Sequence, residues 1–244
     1  MPTRLTNVVV DAADMPALAR FWSEALGWPV AGEESDEVWL DAPAEQAPEP
    51  GFGLVFESVD DPKTTKNRLH LDLASSSLDD QDATVHRLLE LGAQPLDVGQ
   101  GDVPWVVLAD PEGNELCVLE PRARYAGTGA LAAIVVDCHD ARSLAPFWEA
   151  AAGWPVAGMS DTSMSFRAPS ERGPFLELLA VPGEKVVKNR VHLDVAPFAD
   201  DDQAAEVHRL VALGARRVDI GQGDVTWDVL ADPEGNELCV LSRR

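Results

Sequence analysis

Apolar positions along this chain recur at two spacings, one of two residues and one of three to four, and the switches between them outline its elements. "LTNVVVDA" predicts a short strand. Leu18, Phe21, Trp22, Ala25 and Leu26 then recur at helical spacing, with Asp14 placed to cap the helix, Pro16 in its first turn and Gly27 to end it. "EVWLDA" and "FGLVFESV" predict strands on either side of the Pro-rich loop "DAPAEQAPEPG". "NRLHLDL" alternates strictly and predicts another strand. "DDQDATVHRLLELGA" predicts a second amphipathic helix, capped by Asp79 or Asp80 and closed by Gly92. "WVVLAD" and "ELCVLE" predict two more strands, joined by the turn "PEGN", in which Gly113 suits a positive φ.

The whole pattern is then written again. "FWSEALGWPVAG" at Phe21 returns as "FWEAAAGWPVAG" at Phe147, and "WVVLADPEGNELCVL" at Trp105 returns as "WDVLADPEGNELCVL" at Trp227. The second copy is shorter in the middle, most simply in the Pro-rich loop. Each copy is about 120 residues, an ordinary domain size. The expected domains are 1–122 and 131–244, with a linker over 123–130 in the small and polar stretch "PRARYAGTGA". Strand runs separated by single helices predict an α+β fold with helices on one sheet face.

Alternation assigns faces. Leu69, Leu71 and Leu73 point toward the helices, so His70 and Asp72 point away. In "ELCVL" the same beat sends Leu116 and Val118 to the helices and Cys117 to the opposite face. The second copy repeats this with His192, Asp194 and Cys239. A shared face is compatible with plain packing, since cysteine behaves as a small hydrophobe, and equally with a chemical role.

Composition narrows the partners. A formal net charge of −23 argues against nucleic acid and anionic membranes, because a uniformly negative surface repels phosphates. No stretch approaches the roughly 20 apolar residues of a membrane span, and the N-terminus lacks a secretory pattern. Three cysteines without a close pair fit reduced thiols in a cytoplasm rather than a structural zinc site.

The segments "ARFWSEALGW", "KNRLHLDL", "LLELGAQ" and "WVVLADPEGNELCVL", present in order and twice, resemble the vicinal oxygen chelate superfamily of glyoxalases, bleomycin-resistance proteins and extradiol dioxygenases. The likeness is to its actinobacterial glyoxalase-like domains and covers nearly the whole chain. It implies βαβββ modules, two per cup-shaped sheet, and two cups per chain, one from each copy. It also implies a divalent ion on the cup floor of metal-using members. Carried across residue by residue, the ligand positions of copy one fall on Asn7, Val55, His70 and Cys117. Those of copy two fall on Ala133, Glu177, His192 and Cys239.

Copy two thus offers Glu177, His192 and Cys239 as a candidate catalytic or metal-binding set. A thiolate among the ligands favours zinc, iron or nickel over magnesium. Trp39, Trp105 and Trp227 are candidates to line the cup beside His70, Cys117, Asp72 and Asp194, although a solvated edge is the simpler place for the two carboxylates. Trp22, Trp28, Trp148 and Trp154 fit the core, and His86 and His208 fit solvent. Lys66, Arg68, Lys188 and Arg190 flank the histidine strands, either as ordinary surface charges or as a positive rim. The functional expectation is a small organic ligand held in an apolar cup without a full catalytic metal set. The alternative is a metal-dependent lyase, isomerase or dioxygenase using one divalent ion in the second copy's cup. Self-association as a homodimer stays open.

Overall fold

The computed structural model describes residues 3–243. The first copy contributes β1 (Thr3–Ala12), α1 (Met15–Leu26), β2 (Val30–Glu33), β3 (Glu37–Asp41), β4 (Gly53–Ser58), β5 (Leu69–Leu73), α2 (Leu78–Glu90), β6 (Gln94–Pro95), β7 (Val106–Ala109) and β8 (Glu115–Val118). A single 3-10 turn, Ala123–Tyr125, interrupts the linker. The second copy repeats the order as β9 (Leu131–Cys138), α3 (Ala141–Ala152), β10 (Val156–Met159), β11 (Ser163–Arg167), β12 (Phe175–Ala180), β13 (Val191–Pro197), α4 (Gln203–Ala212), β14 (Arg216–Arg217), β15 (Asp228–Ala231) and β16 (Glu237–Val240). The class is α+β, with two eight-stranded mixed sheets.

Local chemistry forms the helices largely as the pattern predicts. Asp14 caps α1 by accepting from Ala17 N–H, and Gly27 ends it in the left-handed conformation. The cap of α2 is Ser77 rather than Asp79 or Asp80; its hydroxyl accepts from Asp80 N–H. Both aspartates fall in the first turn, where they favour the positive end of the helix dipole. Among the described residues no helix is long and apolar enough to cross a membrane.

The expectation that each copy closes its own cup is overturned. The sheets run β14-β15-β16-β13-β1-β4-β3-β2 and β10-β11-β12-β9-β5-β8-β7-β6. Each therefore joins the first half of one copy to the second half of the other. β1 pairs antiparallel with β13, setting Val9 opposite His192 and Asn7 opposite Asp194. β9 pairs with β5 in the same way, setting Val135 opposite His70 and Ala133 opposite Asp72. By pattern alone β5 or β13 could complete the β1 sheet, because "RLHLDLA" and "RVHLDVA" present the same alternation. In the exchanged pairing the halves are in contact, among other places at Arg190 on Glu112 and Arg68 on Asn236.

The alternation itself holds. Leu69, Leu71, Leu73, Leu116 and Val118 join the helix-facing core, as do Trp22, Trp28, Trp148 and Trp154. One hydrophobic cluster takes the helix-facing residues of both sheets, and the opposite faces form two cups. They are named below for their central strands, the β1 cup and the β9 cup.

Candidate functional site

Each cup floor carries one imidazole, one carboxylate and one thiol. His192, Asp194 and Cys239 lie together in the β1 cup, and His70, Asp72 and Cys117 in the β9 cup. Within each trio one donor atom per residue lies within 4.8 Å of the others. The two-residue beat of β13 places His192 and Asp194 on one face, and Cys239 stands beside Asp194 on β16. His192 Nε2 is 3.6 Å from Asp194 Oδ1, and His70 Nε2 is 3.4 Å from Asp72 Oδ1. Both carboxylates are buried, not solvated at an edge.

Burial governs their chemistry. Desolvation, with help from nearby lysines, pushes both imidazoles down to about 3, so they are neutral at physiological pH. It also pushes both thiols up, and the neighbouring aspartate of each acts in the same direction. Asp72 is pushed up to about 7, again chiefly by desolvation. Opposite Asp72 stands Ala133, which offers nothing. Opposite Asp194 stands Asn7, whose Nδ2 donates to Asp194 Oδ2 at 3.3 Å.

The trios suit a zinc-like ion in donor type and number, three protein ligands being enough for an open site. The outer shell is weaker. Metal-binding imidazoles usually hand their second nitrogen to a partner, whereas His70 Nδ1 is buried without a hydrogen bond.

The set Glu177, His192 and Cys239 is not brought together. Glu177 lies on β12 in the β9 sheet, while His192 and Cys239 lie on β13 and β16 in the other. The misplacement follows from the exchanged pairing, which moves the ligand position on β12 into the cup of His70 and Cys117. There Glu177 is engaged by the linker: it accepts from Tyr125 Oη at 3.0 Å and pairs with Arg124 at 2.9 Å.

The linker fills the β9 cup. Tyr125 is 4% exposed and packs with Cys117, Ala133 and Val135. Arg122 lies over the Trp105 ring at 5.6 Å, and Arg124 and Arg167 lie over Phe175 at 4.6 and 4.5 Å. Trp105 thus faces a guanidinium of its own chain. A linker reading missed this plug, although the chain's one tyrosine, flanked by arginines in so acidic a sequence, is a usable signal.

The β1 cup is hollow. Adjoining cavities of about 390 and 410 Å³ share Glu37, Glu57, Trp227 and Cys239. Asn7, Trp39, Val55 and Asp194 line the first, and His192 lines the second. Trp39 lies against Gly32, where a Cβ would fall 2.1 Å from the indole. Glycine is therefore what lets the ring lie flat on β2. Trp39 and Trp227 meet in one cup although they come from different copies.

A larger cavity of about 470 Å³ lies between the loops that precede β5 and β13. It holds Lys66, Arg68, Lys188 and Arg190; Lys66 is exposed and the other three are half-buried or buried, and all four are engaged by partners rather than forming a free positive rim. Lys66 pairs with Asp137 at 2.6 Å, Lys188 with Asp11 at 2.5 Å and Arg190 with Glu112 at 3.0 Å. Arg68 donates to Asn236 and to the Asp137 carbonyl. The loops tie the halves together.

The buried trios give a pH signature. A carboxyl with a raised folded pKa favours folding below its unfolded value, and that benefit is lost as pH rises through the folded value. For Asp72 in the metal-free protein the window runs from about 4 to about 7. Histidines with lowered values act in the opposite sense, losing stability as pH falls from 6.5 toward 3. Denaturant unfolding of wild type and Asp72→Asn across this range is expected to show wild type losing stability relative to the variant as pH rises. Parallel curves would contradict the buried acid.

No curated protein matches this chain. Among solved structures, glyoxalase I from Zea mays superposes with a TM-score of 0.68 at 14% identity, covering 98% of this chain and 92% of that one. A candidate dioxygenase from Bacillus subtilis superposes with a TM-score of 0.65 at 11% identity, covering 99% and 85%. At such identities the likeness is one of fold, and in both it extends over all four modules. The family model for the glyoxalase-like domain matches residues 7–119 and again 133–241. The chain belongs to the glyoxalase-like domain family, in two tandem copies, and so to the vicinal oxygen chelate superfamily.

Proposed function

We propose that this protein binds one small organic molecule per chain, in the β1 cup. The observation that carries the reading is the asymmetry of the cups: one is hollow between Trp39 and Trp227, and the other is filled by Tyr125. Cavities of this size suit a compact ligand, with aromatic walls for contact area and a few polar groups for orientation. His192, as a neutral imidazole, and Asp194, held by Asn7, supply that polar floor. The role is sequestration or carriage. Calorimetric titration with a panel of bicyclic aromatic compounds is expected to find binders at one site per chain, weakened by Trp227→Ala. Two equal sites per chain would contradict the reading.

A second reading has its own observation, the donor trio His192, Asp194 and Cys239. A zinc, iron or nickel ion held there would supply Lewis acidity toward ligand oxygens. Asp194 replaces Glu177 as its carboxylate. Elemental analysis of protein purified without chelator separates the readings. The binding role predicts no stoichiometric metal; about one ion per chain, lost in His192→Ala, would favour the enzyme.

A further inference from the structure

The two cups repeat one sequence pattern but differ, among the described residues, in the charge set around their aromatic rings. In the β9 cup the chain supplies it: three guanidiniums lie over Trp105 and Phe175, and Arg124 also pairs with Glu177. In the β1 cup three strand positions are acidic where the β9 cup has neutral or basic residues, while the counterpart of Arg122, Arg244, lies outside the described residues. Ser163 and Leu179 of the β9 cup correspond to Glu37 and Glu57, and Arg167 corresponds to Asp41. Trp227 corresponds to Trp105 and lines the cavity at 36% exposure. No described arginine or lysine lies over Trp39 or Trp227 as a cation–π partner.

Two further observations point to a ligand rather than to a merely acidic surface. His192 is 5% exposed, lines the cavity, and forms no hydrogen bond among the described residues. Its contact with Asp194, at 3.6 Å, is too long for one. Glu57 has no ion pair among the described residues, and its carboxyl is pushed up by burial and by the negative charges of Asp11 and Glu37. The lysine in this cavity, Lys188, is held by Asp11. A cation entering the cup would relieve like-charge crowding, stack on an indole face and meet an unused imidazole acceptor.

Resting on the binding reading above, we propose that the β1 cup selects an organic cation, a planar aromatic ring carrying a positive nitrogen. The ring stacks on Trp227 and Trp39, and the charge sits toward Glu57. Neutral and anionic ligands of the same shape are disfavoured.

Matched probes test this in the full chain: N-methylquinolinium, neutral quinoline and quinoline-2-carboxylate, each titrated by calorimetry near neutral pH. N-methylquinolinium is expected to bind at least about tenfold more tightly than quinoline. Glu57→Gln and, separately, Asp41→Asn are expected to shrink that ratio, chiefly by weakening the cation. Raising salt from about 20 to about 500 mM is expected to weaken the cation alone. Equal affinity for cation and neutral probe, or tightest binding of the carboxylate, overturns the cation preference and leaves the binding cup standing. No binding of any probe counts against both.

Discussion

Replacing Arg190 with alanine is expected to lower the unfolding free energy by about 2–4 kcal/mol, measured by denaturant unfolding at neutral pH. Arg190 is 8% exposed. Its guanidinium donates to the Asp11 carbonyl at 2.8 Å, to Glu112 at 3.0 Å and to the carbonyl of Asp61. It therefore joins β13 of the second copy to the end of β1 and to the β7–β8 turn of the first. Removing it strands a largely buried carboxylate and two carbonyls, and unmet buried acceptors cost more than a made bond contributes. Glu112 keeps two backbone donors, Ala13 and Asp14, which places the loss below the extreme for a broken buried pair. Arg217→Ala is the contrast. Its partner Asp228 is also near the surface, with side chains 54% and 28% exposed, so the expected loss is under about 1 kcal/mol.

Gly153→Ala is expected to cost more than Gly27→Ala, although both glycines begin the same words, "GWPVAG". Both end a helix in the left-handed region, at φ of 70° and 67°. That conformation alone costs an L-residue about 1–2 kcal/mol. At Gly27 a Cβ would meet nothing within 4 Å. At Gly153 it would fall 2.4 Å from the backbone oxygen of Thr3, so the start of β1 or the end of α3 must move. The expected total at Gly153 is about 3 kcal/mol or more, against about 1–2 at Gly27. Thr3 belongs to the other copy, so the tight contact at Gly153 is one between the two copies. Equal thermal or denaturant shifts for the two variants would speak against that packing.

Much of this architecture is legible in the residues. The two-residue beat places His70, Asp72, Cys117 and their counterparts on the concave faces, and helical spacing places four tryptophans in the core. β2 escapes such reading because "VAGE" is four residues at a sheet edge with little apolar signal. The partner of β1 escapes it for a different reason. Pairing depends on which of two near-identical strands reaches the edge, and side-chain alternation is blind to that choice. The error then propagates, because a ligand set assembled within one copy places Glu177 beside the wrong histidine. The plug escapes too, since "RARY" carries the polar character of a linker while Tyr125 and its flanking arginines act as filling.

Trp39 comes from the first copy and Trp227 from the second, and the proposed cup needs both. Their indole N–H resonances, assigned by single Trp→Phe substitutions, can be followed by two-dimensional NMR while N-methylquinolinium is added. The predicted result is that Trp39 and Trp227 shift together along one binding curve that saturates at one probe per chain, while Trp105 stays still. Movement of Trp105, or of Trp39 without Trp227, would contradict a single open cup shared between the two copies.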